Sequence, residues 1–355
     1  MNKETPSPLP RRYETLDVWR GLAALWVLLC HSISAEYTHL DFSHAGFRLL
    51  TRFMAHGYLG VPLFFVISGY GISNSLTRHT RTPILFFKRR LERIYPPYWI
   101  AALAIAAEIY VIMRLGLQHN ASLPSIRHFA MSMTLVHIPN IPELNPVYWT
   151  LGYEMHFYCL CFLLLCATRG NYLFLITDLV TVGVLLTRHY SFDFACWDKV
   201  LALRHYWLDF YAGILLYRML LHIHNPKRLL YYMVWFVVLI FSNNTFPLMV
   251  RFSAYFALFL AVLHPLDRSL AGISWVKPLF WLGRISYSLY LTHVMFGPKL
   301  LGFANRHWEL TNTLYLVLLL LGIAGSILVA WIFYKGCEQP WIDALDKKQH
   351  TPFLR

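Results

Sequence analysis

The segment that decides the fold of this chain is WRGLAALWVLLCHS, which runs from Trp19 to Ser32. Its apolar residues are those of a membrane helix, yet it carries an arginine near one end and a histidine near the other. Arg20 and His31 are about three helical turns apart, so both side chains project from one face, roughly 16 Å from each other along the axis. A face that carries a permanent cation and an imidazole is costly in lipid, and we expect it to face a cavity or a neighbouring helix.

The composition of the whole chain is that of a membrane protein. Of its 355 residues, 57% are hydrophobic and only 14% are charged, whereas a soluble domain has about 25% charged residues. The net charge of +13 would fit a nucleic-acid partner, but no basic run lies on a soluble module, and membrane topology explains the basic residues. The six cysteines lie mostly in apolar runs without metal-site spacing, so we expect neither a disulfide framework nor a bound metal.

About ten apolar segments are long enough to cross a bilayer. They are residues 17–37, 58–77, 95–115, 147–168, 171–188, 200–221, 229–243, 249–266, 278–300 and 312–336. We therefore predict an all-α, polytopic membrane bundle of about ten transmembrane helices. It comprises an N-terminal segment at 1–16, a transmembrane domain at 17–336 and a tail at 337–355. A cytoplasmic N-terminus puts most lysines and arginines inside, and an even number of spans then makes the C-terminus cytoplasmic as well.

Three polar side chains on three predicted spans fall at a similar depth. The helical rise places His31 and His293 roughly 20 Å from the cytoplasmic edge, and Glu154, in NPVYWTLGYEMHFY, roughly 10 Å below the outer edge. A carboxylate beside an imidazole orients the ring and stabilises its protonated form, so the imidazole can take a proton from a hydroxyl. The alternative is a structural hydrogen bond between helices. Ionisable groups inside a membrane are costly, which favours a functional role for His31 with Glu154.

Two arginines share one face of a helical turn at the predicted cytoplasmic surface. Arg90 and Arg93 lie in FFKRRLERIYPPYW, and paired guanidinium groups suit phosphate, which arginine binds in a bidentate manner. The alternative is that topology alone explains these residues, which would also attract anionic lipid. Pro96 and Pro97 predict that the helix breaks or restarts where the third span begins.

Small residues surround an aromatic core in the second predicted span, GYLGVPLFFVISGYGIS, from Gly57 to Ser73. Glycines let membrane helices approach each other closely, which is the simplest explanation of this pattern. Ser68, in the same span, is in addition a candidate to line a cavity.

These motifs, in this order along the chain, resemble those of the acyltransferase-3 family of integral membrane acyltransferases. The resemblance covers nearly the whole chain. It rests on LDVWRGLAALWVLLCHS, GYLGVPLFFVISGY, the element of Arg90, Arg93, Ile94 and Pro96, YWTLGYEMHFY, GRISYSLYLTH, and the terminal Glu338, Gln339 and Pro340. In YWTLGYEMHFY, Thr150 stands where the family usually has serine. Each motif is weak by itself, but six in the family's order form a specific pattern.

The resemblance implies transfer of an acyl group, most often acetyl from acetyl-coenzyme A, to a sugar hydroxyl of a cell-surface or exported glycan. The resemblance implies that His31 is the general base and that Glu154 assists it. It implies that acyl-coenzyme A is bound by Arg20, Arg90 and Arg93. The residues it implies for the acceptor cavity are Ser68, Trp149, Tyr290 and His293. No permanently bound cofactor is expected, since acyl-coenzyme A is a substrate. Expected partners are this donor, a glycan or glycolipid acceptor and the bilayer of a bacterial inner membrane, with proteins of polysaccharide synthesis or export as further candidates.

Other functions fit part of the same pattern. A transporter or flippase for a lipid-linked sugar would share the spans and the basic inner face, but it predicts broken helices and inverted repeats, and no repeat is evident. A non-catalytic component of a polysaccharide synthesis complex would not need His31 or Glu154. The other large family of membrane-bound O-acyltransferases also uses an intramembrane histidine, but the position of His31 in the first span argues against it.

Overall fold

The structure is a computed structural model that describes residues 13–33, 42–78, 82–115, 123–135, 144–189, 206–242 and 247–350. Within these ranges it consists of helices and connecting turns, and contains no strand. The predicted all-α class is confirmed for this part of the chain.

The α-helices are numbered here in chain order. They are α1 Leu16–His31, α2 Ala45–Ala55, α3 Gly60–Arg78, α4 Pro83–Arg114, α5 Ile126–Ser132, α6 Trp149–Thr168, α7 Leu173–His189, α8 Trp207–Leu221, α9 Pro226–Phe241, α10 Pro247–Leu263, α11 Asp267–Ala271, α12 Lys277–Arg284, α13 Ser286–Thr292, α14 Gly297–His307, α15 Asn312–Phe333 and α16 Gln339–His350. Short 3₁₀ turns lie at His56–Leu59, His264–Leu266, Ser274–Val276 and His293–Met295, and a π-helical turn lies at Tyr334–Glu338.

Five helical stretches within the described ranges are long and apolar enough to cross a membrane. They are Ala45–Thr77, Pro83–Arg114, Trp149–Thr168, Leu248–Ala271 and Asn312–Leu345. A further helical stretch, Leu173–Thr187, is apolar but shorter. The protein is therefore a helical membrane protein, while the number of ten spans, the cytoplasmic termini and the boundaries at 16 and 336 stay predictions.

The helix α8 forms the centre of the bundle. Every residue from Trp207 to Arg218 is buried, as is expected of a helix that is apolar around most of its circumference. It packs against α3, α9 and α10. The sequence predicts this span at 200–221, of which residues 200–205 lie outside the described residues.

One buried ion pair joins α8 to α7. Both guanidinium NH groups of Arg218 donate to Asp178, one to each carboxylate oxygen. The hydroxyl groups of Tyr211 and Tyr231 donate to the same carboxylate at 2.6 and 2.7 Å. A charge inside a membrane bundle needs such partners, so this network holds α7, α8 and α9 together.

The predicted break at Pro96 and Pro97 is wrong, because α4 continues through both prolines from Pro83 to Arg114. Pro96 has no N–H, so the carbonyl of Glu92 loses its usual helical donor. The indole N–H of Trp341 donates to that carbonyl at 2.6 Å. Neighbouring helices can satisfy the backbone groups that proline frees in this way, which allows a membrane helix to continue.

The predicted span at 278–300 is broken into several pieces. Helix α12 ends at Arg284, α13 ends at Thr292, and a 3₁₀ turn begins at His293 before α14 starts at Gly297. The first break lies beside the close contact between Gly283 and α1, where a β-carbon at Gly283 would lie 1.9 Å from the carbonyl oxygen of Asp17. Pro298 cannot donate a helical hydrogen bond, which favours a new helix start at α14. His293 therefore lies at a helix break.

Candidate active site

A cavity of about 300 Å³ lies among α1, α3, α4, α6 and α13. Its size is at the lower end of pockets that bind small ligands. The polar and charged residues of its wall include Asp17, Arg20, Ser68, Asn74, Arg90, Arg93, Glu154, Tyr158 and Tyr290. Six of the residues predicted for the site, on five different helices, are thus brought together around one space.

The three predicted donor-binding arginines all line this cavity. The guanidinium of Arg20 lies 3.4 Å from the carboxylate of Asp17, one turn earlier on α1. The guanidinium carbon of Arg90 lies 5.8 Å from the ring centres of both Phe86 and Tyr158, a distance at which cations are attracted to aromatic faces. The cavity wall therefore carries three fixed positive charges supplied by two helices.

The carboxylate of Glu154 is held by two hydroxyl groups in the same cavity. Ser68 donates to Oε1 of Glu154 at 2.7 Å, and the hydroxyl of Tyr158 donates to the same oxygen. Residues four apart share a helix face, which explains how α6 presents Glu154 and Tyr158 together. Glu154 also interacts electrostatically with Arg20 and Arg90.

His31 lies next to His293, away from the hydroxyl groups that hold Glu154. The centres of the two imidazole rings are 5.3 Å apart, with the rings tilted by 44°. His31 is exposed at the last position of α1, whereas His293 is buried. Among the hydrogen bonds of the described residues, none joins His31 to Glu154. The catalytic roles of both residues stay predictions.

Tyr290 lies between the cavity and the histidine pair. It lines the cavity, and its ring centre is 5.9 Å from that of His293. Its hydroxyl bonds with the hydroxyl of Thr150 and donates to the carbonyl of Val147. Tyr290 thus separates the arginine-lined space from the imidazole rings in this conformation.

Trp149 has a different environment from the other residues predicted for the acceptor cavity. Its ring centre lies 5.7 Å from that of Tyr153 and 5.0 Å from that of Tyr206. It is not part of the wall of the 300 Å³ cavity. The structure thus places Ser68 and Tyr290 on that wall, His293 beside His31, and Trp149 in an aromatic cluster.

A second cavity of about 340 Å³ adjoins the first and shares Asp17, Arg20 and Arg93 with it. Glu338 lines this second cavity from the π-helical turn Tyr334–Glu338. Its Oε2 accepts a hydrogen bond from Ser288 at 2.5 Å. Single π turns are frequent at functional sites, and this one directs a buried carboxylate towards the arginines.

Residues that sequence reasoning did not assign also belong to the site. Asp17 and Tyr158 contact Arg20 and Glu154, respectively, at a spacing of three or four residues along a helix. That spacing was a usable signal. The contact of Glu338 with Ser288 could not be predicted from local spacing, because the two residues lie on separate parts of the chain.

Comparisons with known proteins show to which family the chain belongs. A family model described as an acyltransferase domain matches residues 13–335. The chain is similar to "Protein 2 in picA locus" of Rhizobium radiobacter, with 32% identity over 140 residues, which cover 37% of this chain and 66% of that protein. It is also similar to exopolysaccharide production protein ExoZ of Rhizobium meliloti (strain 1021), with 32% identity over 167 residues, or 45% of this chain and 50% of that protein.

The matched regions span less than two thirds of the length of either curated relative. No solved structure matches the chain. The family model, by contrast, covers most of the chain, including every residue predicted for catalysis or binding. The chain belongs to the acyltransferase-3 family.

Proposed function

We propose that this protein is a membrane O-acyltransferase. It transfers an acyl group, acetyl in our proposal, from cytoplasmic acyl-coenzyme A to a sugar hydroxyl of a surface or exported glycan such as exopolysaccharide. Family membership supports acyl transfer, and the similarity to an exopolysaccharide production protein supports a polysaccharide acceptor. The proposed location is the inner membrane of a bacterium.

The observation that carries this proposal is the arginine-lined cavity. Arg20, Arg90 and Arg93 all line this cavity, where they could bind the phosphates of a nucleotide donor. They lie towards the start of α1 and in the first part of α4. The distribution of basic residues predicts that these helix ends are cytoplasmic. A donor that enters from this side would direct its acyl end towards Tyr290.

In the proposed reaction, His31 removes the proton of the acceptor hydroxyl. The hydroxyl oxygen attacks the thioester carbonyl carbon, a C–O bond forms, the C–S bond breaks, and the proton passes to the thiolate that leaves. Glu154 assists as the carboxylate of the site, held by Ser68 and Tyr158. Trp149 and Tyr290 belong to the acceptor side of this proposal, and His293 lies beside His31. The proposal includes neither a metal nor a permanently bound cofactor.

One observation favours a transporter of a lipid-linked sugar as a second candidate. Broken helices often line transport sites, and the segment from Arg284 to Gly297 is broken. A transporter does not need a cavity that binds the phosphates of a soluble nucleotide. The family match and the three arginines therefore favour acyl transfer.

Glycan acylation in cells tests the proposal. Surface polysaccharide from cells with wild-type, His31→Ala or Glu154→Gln protein, at equal membrane levels, is analysed by mass for base-labile acetyl groups. General-base assistance is worth about 10²–10⁴ in rate, so His31→Ala should abolish detectable acetyl. Glutamine at 154 retains an acceptor oxygen for Ser68 and Tyr158 but lacks the charge, so this variant should also lose most acetyl.

The control is Glu309→Gln, which changes an exposed carboxylate and should leave acetylation intact. Binding of acetyl-coenzyme A by purified protein separates acyl transfer from transport. Full acetylation by both site variants would overturn the catalytic roles, and wild-type protein that neither binds acetyl-coenzyme A nor adds acetyl would overturn the proposed function.

A further inference from the structure

The hydrogen bond made by His293 determines which of its ring nitrogens carries the proton. Nδ1 lies 2.8 Å from the carbonyl oxygen of Tyr290. A carbonyl oxygen can only accept, so Nδ1 must be the donor in this bond. In the neutral ring, Nε2 is then an acceptor with a free lone pair.

That second nitrogen is buried and has no hydrogen-bond partner among the described residues. An unsatisfied polar atom in a protein interior costs about 1–3 kcal/mol, so its persistence in a folded structure calls for an explanation. The neighbouring imidazole, with its centre 5.3 Å away, belongs to His31. At this separation of the ring centres, an N–H of one imidazole reaches a nitrogen of the other when the two ring edges face each other.

The backbone around His293 is fixed, whereas His31 is exposed. The hydroxyl of Ser326 on α15 donates to the carbonyl of His293 at 3.4 Å and accepts from the N–H of Gly297 at 2.9 Å. Gly297 in turn packs directly on the backbone of Gly322. The helix break is thus anchored on both sides of the 3₁₀ turn, and the buried ring of His293 lies beside the exposed ring of His31.

Glu154 is less suited to this orienting role in the present conformation. Its Oε1 already accepts two hydrogen bonds, from Ser68 and Tyr158. The carboxylate also balances the charges of Arg20 and Arg90 in the cavity. It therefore belongs to the arginine-lined side of Tyr290.

We propose that His293 is the positioning residue of His31: its buried Nε2 accepts an N–H of His31 and so directs the other His31 nitrogen at the acceptor hydroxyl. This inference rests on the proposed function. In the reaction, the His31 proton that faces His293 stays in place, and the hydroxyl proton enters the opposite nitrogen before it passes to the thiolate. His293 stabilises the resulting imidazolium through a hydrogen bond and does not touch the substrate.

Two substitutions at this position separate structure from positioning. In His293→Asn, the amide nitrogen replaces Nδ1 and can still donate to Tyr290, but nothing replaces Nε2. In His293→Gln, the longer side chain places an amide oxygen near the Nε2 position, but the bond to Tyr290 is lost. If His293 has a purely structural role, the more stable variant, His293→Asn, should also be the more active one. If His293 positions His31, the less stable variant, His293→Gln, should be the more active one.

The experiment uses purified full-length protein in lipid nanodiscs, labelled acetyl-coenzyme A as donor and base-treated surface polysaccharide as acceptor. We expect His293→Asn to keep its melting temperature and its KM for acetyl-coenzyme A while kcat falls about tenfold or more. We expect His293→Gln to melt at a lower temperature and to recover part of kcat. The matched control is His156→Asn, since Nδ1 of His156 also bonds a backbone carbonyl, that of Gly152 at 2.7 Å; it should leave kcat unchanged.

A double variant provides a second test. If the two imidazoles act as a unit, adding His293→Asn to His31→Ala should cause no further loss of kcat. The inference is overturned if His293→Asn retains wild-type kcat, if kcat follows the melting temperature in both His293 variants, or if the losses multiply in the double variant. If wild-type protein transfers no acetyl at all, the proposed function fails, and this inference falls with it.

Discussion

Single polar side chains carry most of the information about function in this protein. Arg93 is a central example, because it lines both cavities and lies one turn from Arg90. Its position suits a phosphate group that bridges the two spaces. In the proposed reaction, Arg93 contributes to binding the donor and takes no part in proton transfer.

We therefore predict that Arg93→Gln weakens donor binding more than it slows chemistry. A hydrogen bond to a charged group is worth about 1.5–3 kcal/mol, so KM for acetyl-coenzyme A should rise about tenfold to a hundredfold with little change in kcat. Steady-state kinetics with purified protein checks this. Arg114→Gln, at the other end of the same helix, should change neither constant, because Arg114 lies outside both cavities and bonds Tyr110. An unchanged KM in Arg93→Gln would contradict a donor site here.

At the level of elements, glycines set the distance between the helices that carry the site. A β-carbon at Gly69 of α3 would lie 2.1 Å from the carbonyl oxygen of Phe210 on α8, and one at Gly213 would lie 2.0 Å from the carbonyl oxygen of Val66. Small residues commonly allow the backbones of two membrane helices to come into contact. The same α3 presents Ser68 to Glu154, so the spacing of α3 and α8 also positions the site.

Gly69→Ala should consequently lower the melting temperature in detergent. The two helices must separate to admit the new methyl group, and overpacking of this kind costs typically about 1–3 kcal/mol. The control is Gly71→Ala on the same helix, where a β-carbon would meet no atom within 4 Å, and its melting temperature should stay near that of wild type. Equal melting temperatures for both variants would exclude a tight α3–α8 contact.

A second prediction for the elements concerns the continuity of α4. The indole of Trp341 bonds the Glu92 carbonyl that Pro96 leaves without a helical donor. Trp341→Phe keeps an aromatic ring but leaves that carbonyl without the indole, which should destabilise the protein by about 1 kcal/mol. Thermal unfolding measures the difference. Trp331→Phe, at an exposed position on α15, should have no such effect, and an equal loss in both variants would contradict the role of the hydrogen bond.

At the scale of the whole molecule, the length and charge of α4 predict on which side of the membrane the site opens. Its 32 residues extend about 48 Å at the usual helical rise, which exceeds a ~30 Å hydrocarbon core. The basic first turns, which include Lys88 and precede the two cavity arginines, predict that the excess lies at this end. The distribution of basic residues predicts that this end is cytoplasmic.

Cysteine labelling in intact cells tests that orientation. In a background without native cysteines, Lys88→Cys should react with a membrane-impermeant maleimide only after the membrane is opened. Arg127→Cys, in the segment that follows the other end of α4, should react directly. Both positions are exposed. The reverse labelling pattern would invert the topology and place the arginine-lined cavity on the outer side.

The sequence by itself determined the helical membrane class, the approximate positions of the main helices and the residues that belong together on one helix. Arg90 with Arg93, and Arg20 with His31, are examples, because the helical repeat fixes their relative directions. It also identified nearly all the charged residues that line the 300 Å³ cavity. It did not determine the continuity of α4 at Pro96, since a residue far along the chain supplies the missing donor.

The tertiary structure alone decided which polar groups become partners across helices. Glu154 bonds Ser68 and Tyr158, His31 lies beside His293, and Tyr290 stands between the two sets. Depth along a helix can be calculated from residue number, but the rotation of each helix about its axis and the helix break at His293 depend on packing. Contacts such as Gly69 against Phe210 and Gly283 against Asp17 set that packing, and they join parts of the chain that no local pattern relates.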